Sequence, residues 1–339
     1  MKKVSIKDIA QHLNVSVSAV SLTLNGKGDE KRISKTTQKR IVEYAQEQNY
    51  RPNSFAKGLQ KGKSEIIGLV VPNISDVFFS RIARRIEKQA EQAGYDVIFS
   101  STGENIEKES KKIQSMLDRQ VDGLIIASCQ KNTSDILKLK QNNFPFVLID
   151  RLYPEIETNY VGFDNVGGVS SAVNQLIQAG RKRIGFVTLS MNLGTIRERL
   201  DSYLQTMKEH ALPVENGFVH EMDYNNDEAD MQNVIREMLK KPCNIEAIVF
   251  ATHFLASEGL RQLKELNIRV PDDVAIVSYG EQKDFDLFEP AITAVNLPIN
   301  EMGDKAVDIL LRNMKETNFS YEQLRLKTEL VVRKSCGAK

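Results

Sequence analysis

Cysteine is scarce in this chain, and that excludes several frameworks at once. Cys129, Cys243 and Cys336 are scattered, odd in number and without metal-type spacing. They read as buried or incidental thiols in a reducing cytoplasm, not as a disulfide scaffold or a zinc site. Long apolar runs are missing too: none approaches the ~20 residues of a membrane span. The opening MKKVSIKDIAQHL begins with lysines but has no uninterrupted apolar core and no small-residue cleavage site, which reads against a secretory signal. The four histidines, at 12, 210, 220 and 253, are dispersed. No HExxH, GxSxG, P-loop or CxxC pair occurs, and GFDNVGG (162–168) lacks a phosphate-loop pattern. An enzyme reading has no constellation to rest on, and neither metal nor cofactor is expected.

What is present is an ordinary globular composition with an uneven charge. The 339 residues are 41% hydrophobic and 27% charged, enough for two or three domains. The net charge of +1 conceals an asymmetry: residues 1–63 hold 13 basic against 5 acidic groups, +8, and the rest of the chain is −7. A basic module on a mildly acidic body points to a polyanionic partner for that module alone.

The module itself is patterned. Ser5 with Asp8 three residues on forms a capping-box signature, opening a helix through about Leu13 with Ile6, Ile9, Ala10 and Leu13 on one face. NVS is a tight turn, and Ser16 caps a second helix that ends near NGKG, with Val20 and Leu24 one turn apart. A third runs from about Ser34 to Asn49 with Ile41, Val42 and Ala45 inward. Two short helices joined by a tight turn and braced by a third is the helix-turn-helix plan. RPNSFAKGLQKGKS (51–64) follows, basic and without a core of its own, and reads as a linker; Pro52 suits a helix start there and Gly62 a stop.

From Glu65 short apolar runs alternate with amphipathic stretches. EIIGLVV (65–71), YDVIFS (95–100), DGLIIAS (122–128) and PFVLI (145–149) come first; RIGFVT (183–188), AIVFAT (247–252) and VAIVS (274–278) follow. Phe78, Phe79, Ile82, Ile86, Ala90 and Ala93 keep helical spacing. Buried parallel strands read as such runs, and β-α alternation implies parallel sheets flanked by helices. Two similar halves would set a pocket at the carboxyl ends of their strands.

These motifs together resemble a known family. VSIKDIAQHLNVSVSAVSLTLNGKG followed by YRPNSFAKGLQKGKSEIIGLVVPNISDVFF is similar to the lactose-repressor/galactose-repressor family of bacterial transcription regulators. VDGLIIAS, FVLIDR, VGFDN, RKRIGFVT, RERLDSY and VPDDVAIVSY extend the likeness in order along the whole chain. The resemblance implies an all-α helix-turn-helix domain (1–50), a hinge helix (51–63) and an α/β periplasmic-binding-protein-like core of two lobes with parallel sheets (64–339) for effector binding and dimerisation. Its N-lobe would be about 64–163 and 293–326, and its C-lobe about 164–292 and 327–339. It further implies a homodimer, or a dimer of dimers, on double-stranded operator DNA, cytoplasmic and nucleoid-associated. Such a protein has no membrane role and acts most often as a repressor.

By the same resemblance the second helix reads the major groove through Val17, Ser18, Ser21 and Leu22. Lys7, Asn25 and the hydroxyls of Ser5, Ser16 and Ser34 hold the phosphate backbone; plain helix capping is the other reading for the serines. Where the family commonly has threonine and arginine, this chain has Ala19 and Leu22. Arginine donates to guanine O6 and N7; leucine packs on a thymine methyl, so an A·T preference is expected, unless Leu22 faces the small core. In the hinge, Ala56 and Leu59 match the family's minor-groove wedge, with Lys57 where arginine is frequent and Gly58 lowering helix propensity.

For the effector, the resemblance points to Phe78, Phe79, Ser128, Asp164, Arg199, Thr252 and Glu281 between the lobes. The phenylalanines read equally well as core, and the Asp164–Arg199 pair as surface charge. An Asp–Arg pair suits a polyol or carboxylate, a sugar or sugar acid. The family's Asn-Asp is here Thr252-His253, and Gly280 stands where an aspartate is frequent, which puts a simple hexose in doubt. A sugar-binding protein without a DNA role is the alternative; the basic N-terminal module opposes it.

Overall fold

The computed structural model describes residues 4–50, 63–131, 133–223, 228–315 and 320–338. The hinge positions Ala56, Lys57 and Leu59, with Lys2, Lys3 and Gly58, lie outside them. The chain divides into two compact units, 1–64 and 65–339.

In the first unit, α1 (Ile6–Leu13), α2 (Val17–Leu24) and α3 (Lys35–Glu47) enclose Ile9, Ala10, Val20, Ile41 and Ala45. Each helix starts on a serine. Ser5 and Asp8 form a reciprocal capping box, the Ser16 Oγ accepts from the Ala19 amide at 3.0 Å, and the Ser34 Oγ accepts from the Thr37 amide at 3.2 Å. Each cap answers amides that the first helical turn leaves unpaired. Asn14 takes a left-handed φ of 50° to end α1 and make the turn. Val42 does not point inward as expected: it is 37% exposed. At 100° per residue it sits to the side of the Ile41–Ala45 stripe, while Tyr44 packs on the core instead.

In the second unit, the described residues form twelve strands in two six-stranded sheets. The first holds β1 (Ile66–Val71), β2 (Asp96–Ser101), β3 (Gly123–Ile126), β4 (Phe146–Ile149), β5 (Tyr160–Phe163) and β11 (Gln323–Leu326), all parallel, in the order β11-β5-β4-β3-β1-β2. The second holds β6 (Ile184–Leu189), β7 (Val219–Met222), β8 (Ala247–Phe250), β9 (Ala275–Tyr279), β10 (Thr293–Asn296) and β12 (Glu329–Val331), in the order β12-β10-β9-β8-β6-β7, with only β12 antiparallel. Helices cover the faces: α4 (Val77–Gln92), α5 (Ile106–Asp118), α6 (Ser134–Gln141), α7 (Asn165–Gln178), α8 (Gly194–Glu209), α9 (Glu228–Leu239), α10 (His253–Glu265) and α11 (Ile299–Asn313).

Two expectations need correction. The segment 95–100 is not a buried strand, since β2 is a sheet edge and Phe99 is half-exposed. The N-lobe does not resume at about 293, because β10 pairs with β9 in the second sheet, in register Val295↔Tyr279. The crossing falls after Asn296, and α11 then packs on α4. The chain passes between lobes here, after β5, and between β11 and β12. In both sheets the strand order reverses next to the first strand of the lobe, β1 or β6, which leaves a crevice at the carboxyl ends of the strands.

Candidate functional site

Two surfaces merit construction, one in each unit. On α2, Val20 and Thr23 are buried and Leu24 packs on the core. The 3.6-residue period therefore turns Val17, Ser18, Ser21 and Leu22 the other way. Val17 is 45% exposed, Ser18 is exposed, Ser21 and Leu22 are half-exposed, and Leu22 is not among the residues packed on the core. No charge stands on this face, and Lys7, Lys31, Arg32 and Lys35 are exposed elsewhere in the same unit. Ser5, Ser16 and Ser34 are exposed caps; the Ser5 O–H donates to the Asp8 Oδ2 at 2.6 Å and the Ser34 Oγ shares a bond with the Thr37 Oγ1 at 2.8 Å, while the Ser16 Oγ accepts from the Ala19 amide and keeps its O–H to donate. Asn25, at the end of α2, is exposed, with its Nδ2 3.5 Å from the Ser21 Oγ.

In the second unit a cavity lies between the lobes. Its first-lobe wall comes from the ends of β1, β2 and β4: Asp76, Phe78, Phe79, Glu104, Asp150 and Arg151. The second-lobe wall comes from α8 and the ends of β6, β8 and β9, including Thr195, Arg199, Thr252, His253 and Tyr279. Phe78 and Phe79 meet edge-to-face at 5.0 Å.

The polar groups are fixed before any ligand arrives. Asp76 caps α4, accepting from the Phe78 amide at 2.7 Å, and its Oδ1 lies 3.5 Å from the His253 Nε2 of the other lobe. Burial raises the Asp76 carboxyl, but the bond and charge of His253 with the Phe78 and Phe79 amides outweigh it and hold the group below its ordinary value. Arg151 and Glu104 form two parallel bonds of 2.8 and 2.7 Å, and Arg151 also donates to the Ser128 carbonyl. Arg199 is 7% exposed: Nε donates to the Asn165 Oδ1 at 2.9 Å, Nη1 to the Ala251 carbonyl at 3.0 Å, and the guanidinium lies 4.1 Å from the Tyr279 ring centre. Tyr279 donates to the same Asn165 oxygen, and burial pushes its hydroxyl up to about 12. Gln130 reaches across the lobes, its Oε1 accepting from the Gly194 amide at 3.0 Å at the start of α8, which has no side-chain cap of its own.

Of the seven positions expected here, Phe78, Phe79, Arg199 and Thr252 line the cavity, although the Thr252 hydroxyl also caps α10. Ser128, Asp164 and Glu281 do not line it. The Ser128 Oγ is buried, bonded to Glu109 and Tyr153 at 2.7 Å each. Asp164 caps α7 through the Gly167 amide at 2.9 Å, and Glu281 pairs with Arg333. Asp76, Glu104, Asp150, Arg151 and Tyr279 were not anticipated. One local signal existed: Asp150-Arg151 puts two charges directly after a wholly buried strand, at the end where α/β pockets form.

Asp150 supports a prediction. Burial raises its carboxyl above the ordinary 3.8, against the pull of Arg151 and Arg199. The folded protein then holds this proton more tightly than the unfolded chain, so stability is lost as pH rises from the ordinary value through the raised one. Asp150→Asn removes the charge and should be more stable than wild type at pH 7 by about 0.5–2 kcal/mol, with the gain vanishing in acid. Thermal unfolding against pH checks this; equal unfolding temperatures at pH 7 would mean that Arg151 and Arg199 together offset the burial cost.

Comparison with known proteins gives consistent matches. Residues 5–53 match the model for bacterial regulatory proteins of the lacI family, and residues 173–336 the model for a periplasmic binding protein-like domain. The ribose operon repressor of Halalkalibacterium halodurans is 30% identical over 334 residues, 98% of this chain and 96% of that protein. Catabolite control protein A of Priestia megaterium is 29% identical over 93% of this chain and 94% of its own. The lac repressor dimer solved with operator and an anti-inducer has a TM-score of 0.85 at 22% identity, covering 99% of this chain and 100% of that one. Among the described residues no helix is long and apolar enough to cross a membrane.

Proposed function

The chain belongs to the lacI family of bacterial regulatory proteins, and we propose that it binds a two-fold operator as a homodimer whose grip is set by an effector in the interlobe cavity. It is a DNA-binding transcriptional regulator, a repressor as its relatives are named, with a small-molecule-binding core. In this reading Val17, Ser18, Ser21 and Leu22 meet base edges. Ser5, Lys7, Ser16, Asn25 and Ser34 hold phosphates, and Ala56, Lys57 and Leu59 act in the minor groove. The protein works on the nucleoid in the bacterial cytoplasm.

One observation carries the effector half. The cavity is walled by strand ends of both lobes, so an occupant touches both and bonds differently to different lobe arrangements. A ligand shifts an equilibrium only through such differential affinity. Aromatic faces beside fixed charged donors and acceptors suit a sugar or sugar derivative, and the name of the ribose operon repressor fits that class.

The test is operator selection on random duplex DNA with the full-length protein, followed by anisotropy titration across salt. A palindromic site should emerge, and with six to ten phosphate contacts affinity should fall about 10³–10⁵-fold between 50 and 200 mM salt. Failure to enrich any sequence, or salt-independent binding, would sink the DNA assignment.

A further inference from the structure

A chain of side-chain bonds joins the cavity wall to the place where the backbone changes lobes. Asn165 is 1% exposed and opens α7, directly after the crossing that follows β5. Its Oδ1 accepts from two residues that line the cavity, the Arg199 Nε at 2.9 Å and the Tyr279 hydroxyl at 2.8 Å. Its Nδ2 donates to the Glu198 Oε2 at 2.8 Å. The other oxygen of that carboxylate pairs with the Arg325 Nη2 at 2.8 Å. Arg325 belongs to β11 in the first sheet and Glu198 to α8 of the second lobe, so this ion pair spans the lobes. Two of the three crossings lie next to it in sequence and are themselves tied, the Asp164 amide donating to the Leu326 carbonyl at 2.9 Å.

Resting on the reading of this cavity as the effector site, we propose that Asn165 is the positioning residue of the response. It fixes Glu198 for the lobe-spanning pair and ties that pair to the cavity wall, so a shift of the lobes about these crossings and a change at the wall are one event. An asparagine amide suits both tasks. Its oxygen has two lone pairs, both used on the cavity side, and its nitrogen is a donor, which the carboxylate requires. Two donors on one side and an acceptor on the other also fix which way the amide lies. An aspartate would keep the bonds from Arg199 and Tyr279 but would set its carboxylate against that of Glu198. The pair needs this help. An exposed ion pair by itself holds little, because two long side chains must be ordered in water, and Arg325 and Glu198 are 47% and 31% exposed. Here the Glu198 end is ordered in advance by a buried amide. Hinge motions are absorbed at a few residues beside the crossings, and those are the residues that this chain of bonds joins.

The test uses full-length protein with spin labels on Lys112→Cys of α5 and Lys264→Cys of α10, exposed positions in the first and second lobe; the native cysteines are buried. Labelled chains are diluted into unlabelled ones, so that only distances within a chain are read. Asn165→Asp should shift the mean distance by more than about 2 Å, the scale of a domain rearrangement, and change affinity for the selected operator about 2- to 30-fold. Adding Glu198→Gln should restore both. The amide then sits at position 198 and donates to the carboxylate at 165, while its oxygen still accepts from Arg325. Arg325→Gln breaks the pair from its exposed end and should shift the distance alone, which keeps the test decisive where Asn165→Asp fails to fold. Wild-type distances in Asn165→Asp or in Arg325→Gln overturn the proposal. So does a shift that Glu198→Gln fails to restore, because the bond to Glu198 is then not what Asn165 supplies. Distances that shift and recover at constant operator affinity uphold the role of Asn165 and overturn instead the reading that the lobes set the grip on DNA.

Discussion

Leu22→Arg is expected to move the operator preference from A·T to G·C at one position of each half-site, by about 5- to 150-fold per position. Ser16 caps α2, and burial of Val20 and Thr23 fixes its rotation, so the uncharged Val17–Ser18–Ser21–Leu22 face is set by the core. Leucine has no donor for a base edge and gains only by covering a thymine methyl. Arginine gives two parallel bonds to guanine O6 and N7. Since Leu22 does not pack on the module's core, folding should change by no more than about 0.5 kcal/mol, as for an ordinary surface site. The affinity change can then be read without a stability correction. Selecting operators for both proteins from one randomised pool measures it. An identical consensus would place Leu22 off the DNA, and a general loss of binding without a new preference would make it a packing residue at the interface.

How much of this was legible beforehand follows the range of each signal. Ser5–Asp8, Ser16 and Ser34 announce their helices because a cap is a contact over three residues, and the structure has all three. The apolar runs of β1, β3, β4, β6, β8 and β9 are legible because strands buried on both faces are apolar throughout. β7, with sequence VHEM, and β11, with QLRL, lie at sheet edges and show no such run. The cavity was half legible. Phe78, Phe79, Arg199 and Thr252 came from motif position, but Asp76, Glu104 and Asp150 stand far apart in sequence and meet only where three strands end on one rim. Ser128 and Asp164 failed as cavity residues for the converse reason: the hydroxyl and the carboxylate that suit a ligand also suit a buried bond and a helix cap, and both were used there.

The other large effect concerns Arg151. Arg151→Met should lower stability by about 3–5 kcal/mol, the cost of leaving a buried charge without its partner. At about 2–4 °C per kcal/mol for a domain of 150–250 residues, a drop on the order of 10 °C is expected. The structure says why the loss exceeds that of one bond. Glu104 would lose both halves of its bidentate pair, and Asp150 its nearest cation. The Ser128 carbonyl would lose a donor, and Phe79 the guanidinium 5.9 Å from its ring centre. Adding Glu104→Gln to Arg151→Met removes the stranded charge and should recover a large part of the loss, because the penalty lies in the unpaired carboxylate more than in the missing bond. Thermal or urea unfolding of the two single variants and the double gives the coupling energy between the positions. A double variant as unstable as the sum of the singles would mean that Arg151 serves the fold through its packing and its bond to Ser128, with Glu104 incidental. A positive coupling would instead identify the pair as a rigid strut beside Asp150, holding the first-lobe wall of the cavity.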